Sequence, residues 1–166
     1  VILCGYGRVG QEISNQIKTQ NIPIIVVESD EDRKKIAEEN GLEVLCADAT
    51  LDETLKLAGL EKCKSLVVTL PNDAANLYVV LSAKGIRSSI RVIARAGTEE
   101  AASKLRLAGA SIVVSPYIAA GRAMASMALR PIAIDFLDLL AGSECEIEEF
   151  ELSNDISLFE TAEKRS

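Results

Sequence analysis

Short apolar runs alternate with amphipathic segments along the first 115 residues, with a period of about 20 to 25 residues. The apolar runs predict buried strands at residues 1–4, 23–27, 43–46, 65–70, 90–95 and 111–114. Apolar residues at helical spacing predict a helix that starts near residue 9 and further helices over residues 30–40, 51–58, 73–84 and 98–107. This alternation is typical of an α/β fold with a doubly wound, parallel, six-stranded sheet, and it favours the Rossmann-like order 3-2-1-4-5-6.

Several side chains in these elements have predicted positions. Ile36 is the clearest apolar anchor of the helix over residues 30–40, and Asp48 or Thr50 is placed to cap the next helix. Cys4 and Cys46 fall in apparent core strands, which predicts buried, reduced thiols. The cysteines are scattered, without a C-x-x-C pair or any histidine, so no metal site is predicted.

After residue 115 the regular alternation of predicted strands and helices ends. Residues 116–128 predict an alanine- and methionine-rich helix that Pro131 stops, and a short helix at 134–140 follows. Residues 145–152 alternate polar and apolar side chains, as a half-exposed strand does. The helix over residues 116–128 is apolar around most of its circumference, which predicts burial on several sides. We therefore expect it to cross to a second copy of the chain in a two-fold dimer.

Composition narrows the class of protein. The chain has 166 residues, 48% of them hydrophobic, which is enough for one α/β core. A formal net charge of −7 and the lack of a basic run argue against nucleic-acid binding. No apolar stretch approaches the roughly 20 residues that span a bilayer, and no signal peptide is recognisable. Because the cysteines are predicted to be reduced, we expect a cytoplasmic domain. The start inside a strand suggests a piece of a longer protein.

The pattern with the most chemical content lies between the first strand and the first helix. Gly5, Gly7 and Gly10 form G-x-G-x-x-G in that position. In dinucleotide-binding proteins the first glycine permits a tight turn, the second lets a pyrophosphate approach the backbone, and the third lets the helix pack closely. Free N–H groups and the positive end of the helix dipole then face the phosphates. The sequence thus predicts a nucleotide in the crevice between the first and fourth strands.

An acidic residue follows at the spacing expected for a ribose ligand. Glu28 ends the second strand, 18 residues after Gly10. A carboxylate at this position binds ribose hydroxyls and repels a 2′-phosphate, which favours NAD(H) or an adenine nucleotide (ATP, ADP or AMP) over NADP(H). The alternative is that Glu28 is a solvated residue at the end of a strand.

An ordered set of short segments, covering essentially the whole chain, resembles the RCK domain (also called TrkA-N or KTN) that regulates potassium channels and potassium uptake systems. The segments are Gly5-Tyr6-Gly7-Arg8-Val9-Gly10, Glu28 with Asp30 and Arg33, Ala47-Asp48-Ala49-Thr50, Leu57-Ala58-Gly59-Leu60, Asn72-Asp73-Ala74-Ala75-Asn76, Ile93-Ala94-Arg95, Leu107-Ala108-Gly109-Ala110 and Ser115-Pro116-Tyr117 with Gly121-Arg122. The resemblance implies a Rossmann-like nucleotide-binding domain at residues 1–115, a helical dimerisation and hinge segment at 116–142, and the start of a truncated C-terminal subdomain at 143–166.

The resemblance implies a ligand-sensing module and not an enzyme. The chain is most similar to variants fused behind a two-helix pore in prokaryotic potassium channels. Such domains pair through their Rossmann faces and through the helix corresponding to residues 116–128, and they form a ring beneath a tetrameric pore at the cytoplasmic face of the membrane. Ligand binding changes the angle within each pair, and linkers pull on the pore helices. The expected partners are a nucleotide, further copies of the chain and a potassium pore.

The same resemblance assigns residues to the nucleotide site. The cofactor-binding candidates are Gly5, Tyr6, Gly7, Arg8, Val9, Gly10, Glu28, Ser29, Asp48, Ala49, Thr69 and Arg95. The glycine segment would hold the phosphates and Glu28 the ribose. Asp48 and Ala49 would flank the adenine, and Thr69 and Arg95 would lie on the far side of the crevice. Alternatively, Thr69 bonds its own backbone and Arg95 forms a surface ion pair.

Calcium-gated members of the family carry carboxylates at the ends of the fourth and fifth strands. The matching positions here are Thr69, Arg95 and Gly97, none of which supplies a carboxylate ligand. We therefore expect no calcium activation through that site. Glu99 and Glu100 lie nearby in the sequence, but two acidic residues that open a helix more often serve the helix dipole.

Two other functions compete with a channel-fused sensor. A small NAD-dependent oxidoreductase would need an acid or base beside the nicotinamide, and the chain has no histidine, no Tyr-x-x-x-Lys pair and no substrate domain. No catalytic residue is therefore assigned. The second possibility is a peripheral regulatory subunit of a Trk/Ktr-type potassium uptake system or of a cation antiporter.

Overall fold

Six strands and six helices alternate along residues 1–129, which are the residues that the computed structural model describes. The strands are β1 (Ile2–Cys4), β2 (Ile25–Glu28), β3 (Glu43–Cys46), β4 (Ser65–Val68), β5 (Arg91–Arg95) and β6 (Ile112–Val114). The helices are α1 (Arg8–Thr19), α2 (Glu31–Glu39), α3 (Asp52–Leu57), α4 (Asp73–Ile86), α5 (Glu99–Leu107) and α6 (Pro116–Leu129). The strands form one parallel sheet in the order β3-β2-β1-β4-β5-β6, which confirms the predicted fold class and topology.

The central strand β1 shows why these runs are apolar throughout. Leu3 pairs in register with Val26 of β2 and Val67 of β4, and all three join one buried cluster with Ala37 of α2. Ile2 and Cys4 belong to the other cluster, which contains buried residues of α3, α4 and α5. Successive side chains of a strand point to opposite faces of the sheet. Because helices cover both faces, every position of β1 is buried and no polar alternation remains.

The prediction that Ile36 anchors α2 is wrong. Ile36 is 42% exposed, and its neighbour Ala37 is fully buried in the cluster that contains Leu3 and Tyr6. A small side chain at the point of contact lets the helix lie close to the sheet, whereas isoleucine there would hold it away. Ile36 is thereby left beside the cavity described below.

The predicted cap of α3 is also wrong. Leu51 occupies the N-cap position and makes no side-chain hydrogen bond. The Oδ1 atom of Asp48 accepts hydrogen bonds from the amide and the hydroxyl of Thr50, at 2.8 and 2.7 Å. Aspartate readily bonds the backbone two residues ahead, so this carboxylate closes a turn before the helix begins.

The two cysteines predicted in the core differ. Cys4 is fully buried, as predicted, and burial raises the pKa of its thiol to about 12, with a smaller effect from Cys63. Cys46 is exposed, and its Sγ atom lies 3.1 Å from Oε1 of Glu31. The prediction for Cys46 is wrong because it ends β3, an edge strand of the sheet that has a neighbour on one side only.

Residues 1–124 form one compact unit, whose boundary falls within α6. Within α6, none of the fourteen residues is buried. No helix among residues 1–129 is both long and apolar enough to cross a membrane. The predicted helix at 134–140, the predicted strand at 145–152 and the subdomain at 143–166 lie outside the described residues.

Candidate functional site

A cavity of about 430 Å³ opens at the carboxyl edge of the sheet, where β1 and β4 diverge into different loops. Its lining residues are Gly5, Tyr6, Gly7, Arg8, Val9, Gln11, Arg33, Ile36, Thr69, Pro71, Arg95 and Tyr117. Open α/β sheets bind ligands at such a switch point of the strand order. The cavity therefore brings the glycine segment together with Thr69 and Arg95, which were predicted to lie on the far side of the crevice.

Two of the three motif glycines are required by the fold. Gly5 has φ +95°, a left-handed conformation that favours glycine, and a Cβ there would lie 3.2 Å from the backbone of Thr69. A Cβ on Gly10 would lie 2.2 Å from the carbonyl oxygen of Gly5. Gly7 differs, because a Cβ at this position would meet no atom within 4 Å. The absence of a side chain at Gly7 is therefore not explained by packing among residues 1–129.

Neither a capping side chain nor an acidic residue of the first turn compensates the positive N-terminal end of α1. Gly7 is its N-cap residue, with no side-chain hydrogen bond and no acidic residue in the first turn. By contrast, side chains cap the helices α2, α4 and α5, through Asp30, Asn72 and Thr98. Unsatisfied N–H groups and the helix dipole together attract an anion. A phosphate group suits this end of α1.

Glu28 lies at the position predicted for a ribose ligand and is 5% exposed. Its Oε2 atom accepts a hydrogen bond from the amide of Tyr6 at 2.7 Å, and Oε1 accepts one from the amide of Asp30 at 3.0 Å. Arg33 lies beside it, with Nη1 at 3.9 Å from Oε2. This burial excludes the alternative of a solvated residue. Each oxygen retains a second lone pair that a ribose hydroxyl could use.

Thr69 fastens the end of β4 to the glycine segment. Its amide donates to the carbonyl of Cys4 at 2.8 Å, and its Oγ1 atom lies 3.1 Å from that carbonyl and 3.0 Å from the carbonyl of Gly5. The hydroxyl thus satisfies backbone carbonyls, as in the alternative interpretation, although those carbonyls belong to the β1 end. The residue lines the cavity as well.

Arg95 has only neutral partners among residues 1–129. Its Nη1 atom donates to the carbonyl of Leu70 at 3.1 Å, and its guanidinium carbon lies 5.5 Å from the ring centre of Tyr117. Its Nε atom is buried without a hydrogen-bond partner. None of the salt bridges in the described part of the chain includes Arg95. Arg95 therefore does not form the surface ion pair of the alternative interpretation with any of the described residues.

Asn76 holds the far wall of the cavity in shape and is fully buried. Its Oδ1 atom accepts from the amide of Leu70 at 2.9 Å, and its Nδ2 atom donates to the carbonyls of Leu70 and Arg95 at 3.1 and 3.0 Å. One side chain thus ties the loop after β4 to the end of β5. Sequence reasoning gave Asn76 no structural role.

Several candidates contribute no side chain to the cavity wall, and Gly10 and Glu28 are not among its lining residues. The side chain of Tyr6 is fully buried, and its hydroxyl accepts a hydrogen bond from Nδ2 of Asn40 at 3.2 Å, so Tyr6 offers only its backbone. Ser29 and Asp48 are exposed and Ala49 is buried in the core, and none of them lines the cavity. A contact between these residues and a ligand stays a prediction.

Five lining residues were not predicted: Gln11, Arg33, Ile36, Pro71 and Tyr117. Most of them follow the carboxyl end of a strand by a few residues, as Pro71 follows β4 and Tyr117 follows β6. In a parallel sheet all such positions meet at one edge. That rule would have identified Pro71 and Tyr117 from the sequence.

The two acidic residues that open α5 form ion pairs at the surface. Glu100 lies 2.6 Å from Lys104, which lowers the pKa of its carboxyl group, and Glu99 lies 3.4 Å from Arg122. Thr98 caps the same helix by accepting from the amide of Ala101. These contacts agree with a role at the helix end.

Several known proteins are similar to this chain. "Potassium channel protein 1" of Methanocaldococcus jannaschii is 38% identical over 149 residues, which is 89% of this chain and 45% of that protein. YbaL of Escherichia coli, described as a putative cation/proton antiporter, is 33% identical over 113 residues, 68% of this chain and 20% of YbaL. The chain thus spans less than half the length of these relatives.

Solved structures share the fold. The crystal structure of the TrkA-N domain of YbaL superposes with a TM-score of 0.72 at 31% identity, covering 76% of this chain and 93% of that domain. The GsuK channel bound to NAD gives a TM-score of 0.69 at 28% identity, covering 76% of this chain and 22% of that one. GsuK has also been solved bound to ADP. The model of the TrkA-N domain matches residues 1–116, which include every strand of the sheet and every residue of the cavity except Tyr117, and the chain therefore belongs to the TrkA-N domain family.

Proposed function

We propose that this chain is the ligand-sensing domain of a potassium channel. It binds an adenine-containing nucleotide, NAD(H) or ATP, ADP or AMP, in the cavity at the carboxyl edge of the sheet. Binding controls potassium flux through a tetrameric pore at the cytoplasmic face of the membrane. The family and the similarity to a potassium channel protein support this proposal.

The observation that carries the proposal is the state of the α1 N-terminus. Gly7 leaves open space where a side chain would stand, the helix has no capping side chain and no acid in its first turn, and Arg8 adds a cation. A diphosphate placed there accepts hydrogen bonds from the first N–H groups of α1. The ribose then donates to Glu28, whose carboxylate is already fixed by two backbone amides.

The same contacts favour sensing over catalysis. Glu28 is the one carboxylate among the described residues that is buried against the glycine segment, and both of its oxygens accept backbone hydrogen bonds. These two hydrogen bonds give the carboxylate a structural role in holding the glycine segment. Hydride transfer would need an acid or base within reach of the substrate.

A ligand bound in the cavity would affect the rest of the assembly through α6. Tyr117, in the first turn of that helix, lines the cavity, and its hydroxyl accepts a hydrogen bond from Nη2 of Arg8 at 3.4 Å. In the proposed assembly α6 packs on a second copy of the chain, and pairs build a ring below the pore. A ligand that moves Arg8 would then change the angle within each pair.

A second candidate is the regulatory part of a cation antiporter or of a Trk/Ktr-type uptake system. The similarity to YbaL, described as a putative cation/proton antiporter, favours it. The sequence that precedes Val1 in the genome distinguishes the two: a pore-loop signature followed by an apolar helix supports a fused channel.

Titration calorimetry with ADP and NAD+ tests the binding proposal. Gly7→Val should abolish binding because its side chain fills the space that the pyrophosphate needs. Gly85→Val is the matched control, because a Cβ on Gly85 also meets no atom within 4 Å and Gly85 lies in α4, away from the cavity. Wild-type affinity in Gly7→Val, or hydride transfer to any substrate, would contradict the proposal.

A further inference from the structure

The crossover helices sort acidic charge toward one edge of the sheet. Each of them returns from the carboxyl edge to the amino edge, where the strands begin, so its first turn lies at the carboxyl edge. Acidic residues stabilise that end of the helix dipole. The first turns of α2, α3, α4 and α5 contain Glu31, Asp32, Asp52, Glu53, Asp73, Glu99 and Glu100. Acidic charge therefore collects at the carboxyl edge and leaves the amino edge with a different balance.

Four basic residues lie together at the amino edge, where β4 and β5 begin. Lys62 and Lys64 precede β4. Ser65, the first residue of β4, pairs in register with Arg91, the first residue of β5. The side chains of both lysines and of Arg91 are exposed. The fourth residue is Arg87, which follows α4, and the four are called the basic edge below.

Arg87 fixes the segment that carries the two lysines. Its Nη1 atom donates to the backbone carbonyls of Leu60, Glu61 and Cys63 at 3.4, 3.1 and 2.7 Å. Because these partners are neutral, the guanidinium group keeps its charge. The two lysines therefore lie on a loop whose backbone is held beside a third cation.

No acidic group among residues 1–129 forms a salt bridge with the basic edge. Six other basic residues do pair with acidic ones, namely Arg33, Lys34, Lys35, Lys56, Lys104 and Arg122. Acidic residues are in excess, with 25 against 18 lysines and arginines in the whole chain. Neighbouring like charges repel one another, so an unpaired basic cluster on an acidic chain points to an anionic partner.

The start of the chain lies at the same edge. Ile2 pairs in register with Leu66, so Val1 lies beside the start of β4. In the proposed channel the pore precedes this domain in the sequence, and the connection to the pore enters at Val1. The amino edge is then the edge nearer to the membrane, and the acidic carboxyl edge faces away from it.

We infer that the basic edge docks on anionic lipid headgroups of the adjacent membrane leaflet. Each basic residue close to an anionic bilayer strengthens the attraction about fivefold, and the attraction falls off within about 10 Å at 0.1 M salt. Nucleic acid is the other large polyanion, but the net charge of −7 opposes its binding to the chain as a whole. This inference rests on the proposed function, because it needs the domain to be attached to a membrane protein through the residues before Val1.

Lysine acetylation on vesicles tests the inference. The 166-residue chain, with a hexahistidine tag before Val1, is held on vesicles through a nickel-chelating lipid, which reproduces attachment at that end. One set of vesicles is otherwise phosphatidylcholine, and the other contains phosphatidylcholine and phosphatidylglycerol in equal parts. Peptide mass spectrometry after timed acetylation gives the rate at each lysine. Lys62 and Lys64 should react at least about threefold more slowly on the anionic vesicles, and about 0.5 M salt should abolish the difference.

Lys35 and Lys104 are the control lysines, because each pairs with an acidic residue in the first turn of its own helix. Their rates should change less than about 1.5-fold. Arg91→Glu reverses one charge of the basic edge and should remove at least about half of the protection. Arg122→Glu makes the same change in charge beside Glu99, at the start of α5, and should leave the protection unchanged.

Equal rates at Lys62 and Lys64 on the two kinds of vesicle, or equal slowing at the control lysines, would overturn the inference. Duplex DNA that protects Lys62 and Lys64 as strongly as the anionic vesicles do would also overturn it. The wild-type comparison decides the inference even if Arg91→Glu does not fold. Calorimetry with ADP on the same protein tests the proposed function separately, so the two failures are distinguishable.

Discussion

The amide of Tyr6 donates a 2.7 Å hydrogen bond to Oε2 of Glu28, across a separation of 22 residues in the chain. The carboxylate at the predicted ribose position therefore also fixes the backbone of the glycine segment at the predicted phosphate position. Asp30 donates to the other oxygen, so the end of β2 and the start of α2 belong to the same network. The two halves of the candidate site are held in register before any ligand arrives.

Replacing Glu28 with glutamine should destabilise the fold. The new amide group presents a donor to one of two backbone N–H groups that now share a carboxylate, so one of these buried groups loses its acceptor. We expect a loss of about 1–3 kcal/mol in the free energy of unfolding, measured by urea denaturation. Glu38→Gln, on an exposed position of α2, should change it by less than about 0.5 kcal/mol. Equal stability of the two variants would contradict a structural role for Glu28.

Alanine at the second and third motif glycines, Gly7 and Gly10, should lower the stability of the fold by different amounts. The methyl group of Gly10→Ala would lie 2.2 Å from the carbonyl oxygen of Gly5, so the backbone must move. We expect it to lower the free energy of unfolding by about 1–3 kcal/mol. Gly7→Ala meets no atom within 4 Å and should cost less than about 1 kcal/mol, the effect of a poorer N-cap residue. Thermal unfolding followed by circular dichroism measures both changes. A Gly7→Ala variant that is destabilised as much as Gly10→Ala would contradict the open space at Gly7.

The thiols of Cys4 and Cys46 should differ in reactivity toward iodoacetamide. The thiolate is the reactive form, and burial raises the pKa of Cys4 to about 12, so this residue should stay unmodified in the folded protein. The pKa of Cys46 is also raised, mainly by its hydrogen bond to Glu31, but this thiol is exposed. Its alkylation rate should therefore rise at a higher pH than that of a free thiol.

Glu31→Gln removes the negative charge beside Cys46 and should shift this pH dependence downward. Peptide mass spectrometry after timed alkylation between about pH 7 and 10 assigns the modified residue. Faster labelling of Cys4 than of Cys46 in the folded chain, or an unchanged profile in Glu31→Gln, would show that the contacts described for these thiols do not control them.

Charged substitutions in α6 should prevent dimerisation. Met124 is 70% exposed, and none of the α6 residues is buried, although the helix consists largely of alanine, methionine and other apolar side chains. An exposed helix of this composition gains stability by packing on a partner, and methionine adapts to more than one arrangement. Ile118→Glu with Met124→Glu should give monomers in light scattering and preserve nucleotide binding. A wild-type chain that is monomeric at high concentration would refute the dimer.

The sequence determined the architecture of this protein because its signals are local. Apolar runs too short for helices predict strands, helical spacing between them predicts crossovers, and parallel strands joined by crossovers have few allowed orders. The observed order β3-β2-β1-β4-β5-β6 confirms that prediction. The glycine motif is local too, since its strand, turn and helix are contiguous, and its place at the carboxyl edge follows from the topology.

The tertiary structure decided which side chains meet. Helical spacing alone could not choose between Ile36 and Ala37 as the contact of α2, because the choice depends on how closely the helix approaches the sheet. Cys46 is exposed because β3 is an edge strand, which strand order reveals and a four-residue apolar run does not.

Three residues of the cavity wall show the same limit most clearly. Arg8, Arg95 and Tyr117 are far apart in the chain and lie on α1, β5 and α6. Their charge balance depends on which acidic residues lie near them in space, and no spacing rule in the sequence contains that information. The sequence by itself therefore determined that a Rossmann-like fold would form and where its glycine segment would lie, and only the packed chain decided which cations face the cavity without an acidic partner among residues 1–129.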